Sequence, residues 1–155
     1  MEKVRRLHDA NLVRLLKEDG VQSVFVDKYE NQTLTRVKDI CKKMGDRSWA
    51  MRVVANERFG GPLICQKPGE GNRLHYHPDS DECWVILEGE WEWFIEGAGT
   101  KRVKKGDIVL VRKGTKHRIK CKGRRPGIRF AITKANVEHI YAERNGRASL
   151  ATVSR

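Results

Sequence analysis

Two histidines and a glutamate stand close together near the middle of the chain, and both residue types bind divalent metal ions. His75 and His77 are separated by one residue in the segment GEGNRLHYHPDSDECWVILEG, which runs from Gly69 to Gly89. In a β-strand, this spacing puts both imidazoles on the same face. Glu82 follows a turn-forming Pro-Asp-Ser-Asp stretch and opens an apolar run. The pattern predicts a hairpin that presents two imidazoles and a carboxylate, which are suitable ligands for a first-row transition metal.

A third histidine follows about one strand pair later. The segment from Gly106 to His117 reads GDIVLVRKGTKH, which predicts a strand over Ile108 to Val111, a turn, and a further strand that begins at His117. A histidine at that position can supply a ligand from across a barrel. We therefore predict a metal site with four protein ligands, His75, His77, Glu82 and His117.

The first of these segments resembles the first motif of the cupin superfamily. That motif is a glycine, five residues, His-x-His, three or four residues, a glutamate, six residues and a glycine. The chain matches every fixed position, with Gly69, His75, His77, Glu82 and Gly89.

The second segment resembles the second cupin motif, which runs from a glycine through a proline, another glycine and a histidine to an asparagine. Gly106, Gly114 and His117 match this motif. Arg112 stands where proline is usual and Cys121 where asparagine is usual, so neither departure removes a ligand.

The resemblance implies an all-β fold, a small double-stranded β-helix or jelly-roll barrel. Hydrophobic periodicity predicts two N-terminal helices in addition to the barrel, over residues 5–19 and 34–44, with Thr33 as the N-cap of the second. Between them, Val21 to Tyr29 fits a short strand. From Ser48 the apolar period changes to two, which predicts barrel strands separated by turns, one of them at Phe59 to Pro62.

This patterning divides the chain into three parts. Residues 1–47 form a helical and strand segment packed on the barrel, residues 48–142 form the cupin barrel, and residues 143–155 form a polar, frayed tail. The chain has 155 residues, which suits one barrel with a sizeable core. The resemblance also implies a homodimer, for which the apolar N-terminal elements are available as the contact.

Three further residues are predicted to line the cavity and contact a substrate. Arg73 shares the parity of the two histidines, so its guanidinium faces the cavity if the strand extends back that far and faces solvent if it does not. Trp84 and Cys121 point inward by the same alternation. A core role for the tryptophan and a buried inert thiol are the alternatives for these two residues. The catalytic base is unknown from the sequence.

Composition places the chain among globular, intracellular proteins. Apolar residues make up 39% and charged residues 34%. No apolar run approaches the length of a membrane span, and the N-terminus has no apolar core of a signal peptide. The four cysteines form no CxxC pair, which favours free thiols in a reducing compartment. We therefore expect a cytoplasmic protein that does not bind membranes.

The positive charge is concentrated in one stretch. Residues 101–129 carry 13 lysines and arginines and one acid, and this excess equals the net charge of +12 of the whole chain. Such a stretch attracts a small anionic molecule, or it is a solvated basic rim. We do not expect nucleic acid as a partner, because no zinc finger, helix-turn-helix or RNA-binding aromatic motif accompanies it.

The ligand set favours a functional metal rather than a structural one. Three imidazoles and one carboxylate leave two positions open on an octahedral ion, whereas structural zinc sites are closed by four cysteines or histidines. Fe, Mn, Ni, Co and Zn all fit. The resemblance implies dioxygenase, isomerase, lyase or decarboxylase activity on a small anionic hydroxy-carbonyl or enediol substrate. The alternative is a non-catalytic cupin that binds or senses a small molecule.

Overall fold

The computed structural model describes residues 4–8 and 26–142. These residues contain eleven strands, one α-helix, α1 (Val37–Met44), and a short 3-10 helix (Asp27–Tyr29). The strands are β1 (Val4–His8), β2 (Trp49–Ala55), β3 (Phe59–Gln66), β4 (Gly71–Tyr76), β5 (Glu82–Glu88), β6 (Glu90–Ile95), β7 (Gly99–Lys104), β8 (Ile108–Val111), β9 (His117–Lys122), β10 (Gly127–Lys134) and β11 (Glu138–Ala142). No helix in this part of the chain is long and apolar enough to cross a membrane.

The strands form two antiparallel sheets. One has six strands in the order β1-β11-β4-β9-β6-β7, and the other has five in the order β2-β3-β10-β5-β8. Most neighbouring strands are distant in sequence, as in a jelly roll. The predicted all-β barrel is therefore confirmed.

Alternation along the strands determines which side chains point between the sheets. In β5, Glu82, Trp84 and Ile86 are buried, while Cys83 and Val85 are only partly buried. Since successive side chains in a strand point to opposite faces, the first three residues face the interior. Three tryptophans, Trp84, Trp91 and Trp93, are almost completely buried there and fill much of the space between the sheets.

A second apolar cluster lies on the outer face of the five-stranded sheet. The helix α1 packs Ile40 and Met44 against Trp49, Met51 and Leu63, and all five side chains are buried. Burying an isoleucine completely stabilises the fold by about 1.5–3 kcal/mol. The helix is therefore held by the sheet it covers.

The predicted N-terminal elements need correction. Residues 5–8 belong to β1, which pairs with β11 from Val4↔Ala142 to His8↔Glu138. Pairing with a strand at least 130 positions away overrides the local helical pattern, because it satisfies the backbone groups of both strands. Residues 9–19 of the predicted helix, residues 21–25 of the predicted strand and the predicted tail over residues 143–155 lie outside the described ranges. The division of the chain at residues 47 and 142 stays a prediction.

Two further expectations in this region were wrong. Residues 27–29 form a 3-10 helix rather than the end of a strand. The α-helix begins at Val37 instead of Leu34, and its N-cap is Arg36, which makes no side-chain capping bond, so Thr33 does not cap it. Leu34 is 64% exposed and packs on no helical face.

The predicted turn at Phe59 to Pro62 was also wrong, because these residues open β3. Pro62 lies opposite Arg52, next to a register shift in β2. Proline lacks the N–H that a regular ladder needs, so it is tolerated in a strand where the pairing is already irregular.

Candidate metal centre

The four predicted ligands converge at one end of the barrel. His75 lies in β4, His77 follows the end of that strand, and Glu82 and His117 open β5 and β9. His75 and His117 are direct partners across adjacent strands. All four side chains are buried, and their ligand atoms lie within 4.8 Å of one another. The fold thus places donors from both sheets around one point.

Backbone carbonyl groups fix the orientation of the three imidazoles. In each ring Nδ1 lies at hydrogen-bonding distance from a carbonyl oxygen: His75 to Arg73 O at 2.6 Å, His77 to Glu138 O at 2.8 Å, and His117 to Thr115 O at 3.0 Å. A carbonyl oxygen can only accept, so each Nδ1 donates and carries the proton. The Nε2 atom of each ring is then the one available to a metal ion, as is usual for histidine ligands.

The carboxylate completes this donor set. Glu82 Oε2 lies 2.5 Å from His77 Nε2 and 3.7 Å from His117 Nε2. When the proton of each ring is on Nδ1, the carboxylate oxygen and the two Nε2 atoms are all acceptors, and a cation placed between them can bind all three. Three neutral nitrogens and one carboxylate oxygen suit a divalent transition metal. The residues present therefore fit such an ion.

The pKa directions agree with this assignment. Burial, followed by the nearby His117, His77 and His139, holds the pKa of His75 well below its usual value, so the ring is neutral. Burial raises the pKa of Glu82, but the adjacent imidazoles of His77 and His117 outweigh burial and lower the pKa well below its usual range, so the carboxylate is ionised. A neutral imidazole and an ionised carboxylate are the protonation states that a metal requires.

Two aromatic residues of β11 also contact the ligands, and the sequence did not single them out. His139 stacks on His75 with ring centroids 5.2 Å apart and meets His77 edge-on at 4.4 Å. The Tyr141 ring lies 5.1 Å from the His75 ring, and Tyr141 and His75 are partners in the β4–β11 register. The i, i+2 spacing of His139 and Tyr141 predicts that both side chains lie on one face of a strand. The local sequence does not predict that this strand, β11, pairs with β4.

Arg73 faces the cavity. The strand β4 extends back to Gly71, and the Arg73 guanidinium carbon lies 5.2 Å from the centroid of the Tyr141 ring. Tyr141 is fully buried and Arg73 is partly buried. Of the two orientations that the sequence left open, the structure has the inward one, close to the rings that support the metal ligands.

Trp84 and Cys121 occupy different parts of the interior. The Trp84 ring lies 5.3 Å from the His117 ring and is buried, so it packs directly behind a ligand. Cys121 is four residues further along β9 than His117, which corresponds to roughly 13 Å. It is completely buried in the tryptophan cluster, and burial raises the pKa of its thiol. The structure brings Trp84 to the ligands and leaves Cys121 away from them.

The basic stretch lies mainly on the outside of the barrel. Lys120 and Lys122 of β9 are exposed. A surface cavity of about 410 Å³ is lined in part by Arg102, Lys104 and Lys122, together with Glu90 and Asp107.

Arg129 is the exception in this stretch, because it is buried inside the barrel. Its guanidinium donates to Gln66 Oε1 at 2.9 Å and to Asn72 Oδ1, and it lies over the Trp91 ring. These contacts place it in the core next to Trp91, where the amide oxygens accept its hydrogen bonds.

Comparison with known proteins finds a family model and two relatives that are similar to part of this chain. Residues 62–133 match the family model of the cupin domain. The Bacillus subtilis (strain 168) protein YdbB is 46% identical over 44 residues, which are 28% of this chain and 39% of that protein. Quercetin 2,3-dioxygenase of the same organism is 30% identical over 95 residues, which are 58% of this chain and 28% of the enzyme. The chain thus spans less than half the length of these two relatives.

Solved structures agree with this match at the level of the fold. A Klebsiella pneumoniae protein with a double-stranded β-helix domain superposes with a TM-score of 0.61 at 18% identity, over 72% of this chain and 91% of that one. Both motifs, the two-sheet barrel and the family model agree: residues 62–133 match the cupin domain, and the fold is similar to that of a double-stranded β-helix protein.

Proposed function

We propose that this protein is a divalent-metal-dependent enzyme that acts on a small anionic substrate with a hydroxy-carbonyl or enediol group. The observation that carries the proposal is the buried set of His75, His77, Glu82 and His117, whose ligand atoms lie within 4.8 Å of one another. One Fe, Mn, Ni, Co or Zn ion is held by these four residues. When bound, the ion supplies Lewis acidity or, where it is redox-active, one-electron chemistry.

The residues around the ligands bind and orient the substrate. Arg73 offers a planar, permanently charged guanidinium that binds a carboxylate or phosphate group in two places. Its inward orientation beside Tyr141 supports this role. Trp84, packed behind His117, excludes water from that side of the site. The sequence predicted that Cys121 contacts the substrate. Because Cys121 lies far from the four ligands along β9, we assign it to the core instead.

Dioxygenase and isomerase chemistry are the two branches of this proposal. Among the relatives, quercetin 2,3-dioxygenase supports the first branch, and the matched region is 28% of that enzyme. The free state of all four cysteines supports a cytoplasmic location, where thiols stay reduced.

Elemental analysis of the purified protein tests the metal site. The wild type should contain about one transition-metal ion per chain, and Glu82→Gln or His117→Gln should lose most of it. His139→Gln is the matched control, because His139 is equally buried beside the site but lies outside the four-residue ligand group. Retention of full metal content by both ligand variants would contradict the site.

Turnover assays test whether the metal-loaded protein is an enzyme. The metal-loaded protein is incubated with keto-sugars, enediols and thiols while oxygen consumption and product are followed. Turnover with oxygen uptake supports a dioxygenase, and turnover without it supports an isomerase or lyase. Thermal stabilisation by a compound that is never converted would show the binding or sensing module instead.

A further inference from the structure

The surface cavity of about 410 Å³ lies at the end of the six-stranded sheet that is remote from the metal ligands. β6 begins there at Glu90, and the register partners of Glu90 are Lys104 and Lys122, the last residues of β7 and β9. At its other end β6 finishes at Ile95, opposite His117. Lys122 is five residues further along β9 than His117, which corresponds to roughly 16 Å. The cavity is therefore separate from the candidate metal centre.

Nonpolar walls and a charged rim form this cavity. Trp91 and Val103 are register partners that line it, and Trp91 is only 1% exposed. The exposed side chains of Arg102, Lys104 and Lys122 line it as well, and long basic side chains cover apolar surface with their stems. The volume falls in the range of small-molecule sites, about 300–1,000 Å³. The cavity is thus large enough for a small organic molecule.

The charges around the cavity have an excess of bases. Glu90 and Asp107 are the two acids in the lining, against the three bases named above. Residues 88–92, 100–109 and 120–125, which include the lining, together contain eight lysines and arginines and four acids, a net charge of +4. One ion pair, Lys105 with Glu88 at 2.7 Å, lies within this set and leaves that excess unchanged. Such an excess attracts an anion.

The arrangement of these charges indicates the class of anion. Lys104 and Lys122 flank Glu90 on the two neighbouring strands, so their backbones are about 9–10 Å apart across β6. Lysine ammonium groups bind phosphate as point charges on flexible stems. An ionised carboxylate only accepts hydrogen bonds, so it repels a bare anion but binds hydroxyl groups. Asp107 already accepts from the backbone N–H of Lys104 at 2.9 Å, and we therefore assign the hydroxyl groups to Glu90.

We propose that this cavity binds a small hydroxylated phosphate ester, a class that includes sugar phosphates and nucleotides. The phosphate group lies near Lys104 and Lys122, the hydroxyl groups bind Glu90, and the carbon skeleton packs towards Val103. The proposal does not depend on the function proposed for the metal centre, because the two sites lie at opposite ends of β6 and β9.

Isothermal titration calorimetry of the metal-loaded chain with ribose 5-phosphate tests the proposal. The wild type should bind with a dissociation constant below about 1 mM, and Lys104→Gln/Lys122→Gln should bind at least about 10-fold more weakly. Lys38→Gln/Lys42→Gln is the matched control, because both lysines are exposed on α1 and the variant loses the same charge. This control should bind like the wild type. Equal weakening in the two variants, or no weakening in either, would overturn the proposal.

Two further probes identify the part of the ligand that is recognised. Inorganic phosphate should bind at least about 5-fold more weakly than ribose 5-phosphate, because it lacks the hydroxyl groups and carbon skeleton of the sugar. Equal affinity for the two would contradict the assigned role of Glu90. AMP separates the two sources of the ester: tighter binding than ribose 5-phosphate assigns a nucleotide, and weaker binding assigns a sugar phosphate.

Binding at the cavity must also be distinguished from binding at the metal centre. Arg73→Gln, which removes the guanidinium beside Tyr141, should retain the binding of ribose 5-phosphate. In the wild type, this probe should slow the acetylation of Lys104 and Lys122 by an amine-reactive ester but not that of Lys38, as measured by mass spectrometry. Loss of all binding in Arg73→Gln, or unaltered acetylation of Lys104 and Lys122, would overturn the assignment to the cavity.

Discussion

Two glycines at the start of the metal-ligand strand β4, Gly69 just before it and Gly71 as its first residue, should respond very differently to alanine. Gly69 is a fixed position of the first cupin motif and has a φ of +93°, but a Cβ there would meet nothing within 4 Å. Gly71 is not part of the motif, yet a Cβ would lie 1.8 Å from the carbonyl oxygen of Ile119 and 2.8 Å from Lys120 Cα. The first substitution strains only the local backbone. The second requires β4 and β9 to separate.

The magnitudes follow from these contacts. A non-glycine residue in the left-handed region costs about 1–2 kcal/mol, which is the expectation for Gly69→Ala. For Gly71→Ala, neither backbone can yield without loss of the bonds that join the strands, including Gly69 N–H to Cys121 O at 2.8 Å and Cys121 N–H to Glu70 O at 2.7 Å. Each bond is worth about 0.5–1.5 kcal/mol, and loss of three or four gives about 1.5–6 kcal/mol.

Urea unfolding of the metal-free protein measures this difference, and metal content provides the second readout. Gly71→Ala should also weaken metal binding, because His75 and His117 are partners in the same β4–β9 pair that the added methyl group forces apart. Gly69→Ala should retain its metal. Equal stability of the two variants, or full metal content in Gly71→Ala, would refute the reasoning from backbone contact.

Three further predictions concern buried groups. Burial and the neighbouring histidines lower the pKa of His75. Below about pH 6.5, therefore, the His75 side chain takes up a proton in the unfolded chain but stays neutral in the folded chain, and the folded state loses stability. The melting temperature of the metal-free protein should fall as the pH drops below that value, with a smaller fall in His75→Gln. Ile40→Ala should cost about 2–5 kcal/mol in urea unfolding, whereas Leu34→Ala, at an exposed position, should change stability by less than about 0.5 kcal/mol. Burial raises the pKa of Cys65 to about 12, so iodoacetamide near pH 8 should label this thiol only after denaturation; labelling in the native protein would contradict its burial.

The barrel and the four converging side chains were predictable because their signals are local. His75 and His77 are two residues apart, and the turn before Glu82 is marked by its residue types. Period-two alternation then placed Trp84 on the inner face of its strand. By contrast, β1 and β11 pair across almost the whole chain, and no local pattern encodes that pairing. Helical spacing of leucines near the N-terminus therefore led to a wrong prediction for residues 5–8.

The three imidazoles also differ in what holds them. His75 and His117 each donate to the carbonyl of the residue two positions earlier, so any strand with this sequence would orient them. His77 instead donates to the carbonyl of Glu138, 61 positions away in β11. Its orientation depends on the long-range pairing of β11 with β4 rather than on the motif itself.

That dependence makes β11 part of the candidate metal centre. The match to the cupin family model ends at residue 133, but β11 supplies the carbonyl that orients His77 and the two rings, His139 and Tyr141, that contact His75. Tyr141 also lies under the guanidinium of Arg73. The two motifs thus contain the four predicted metal ligands, whereas β11, which lies outside both motifs, shapes the surface next to them. Because substrate selection depends on the groups around an ion more than on its ligands, specificity in this chain should be sought first in β11.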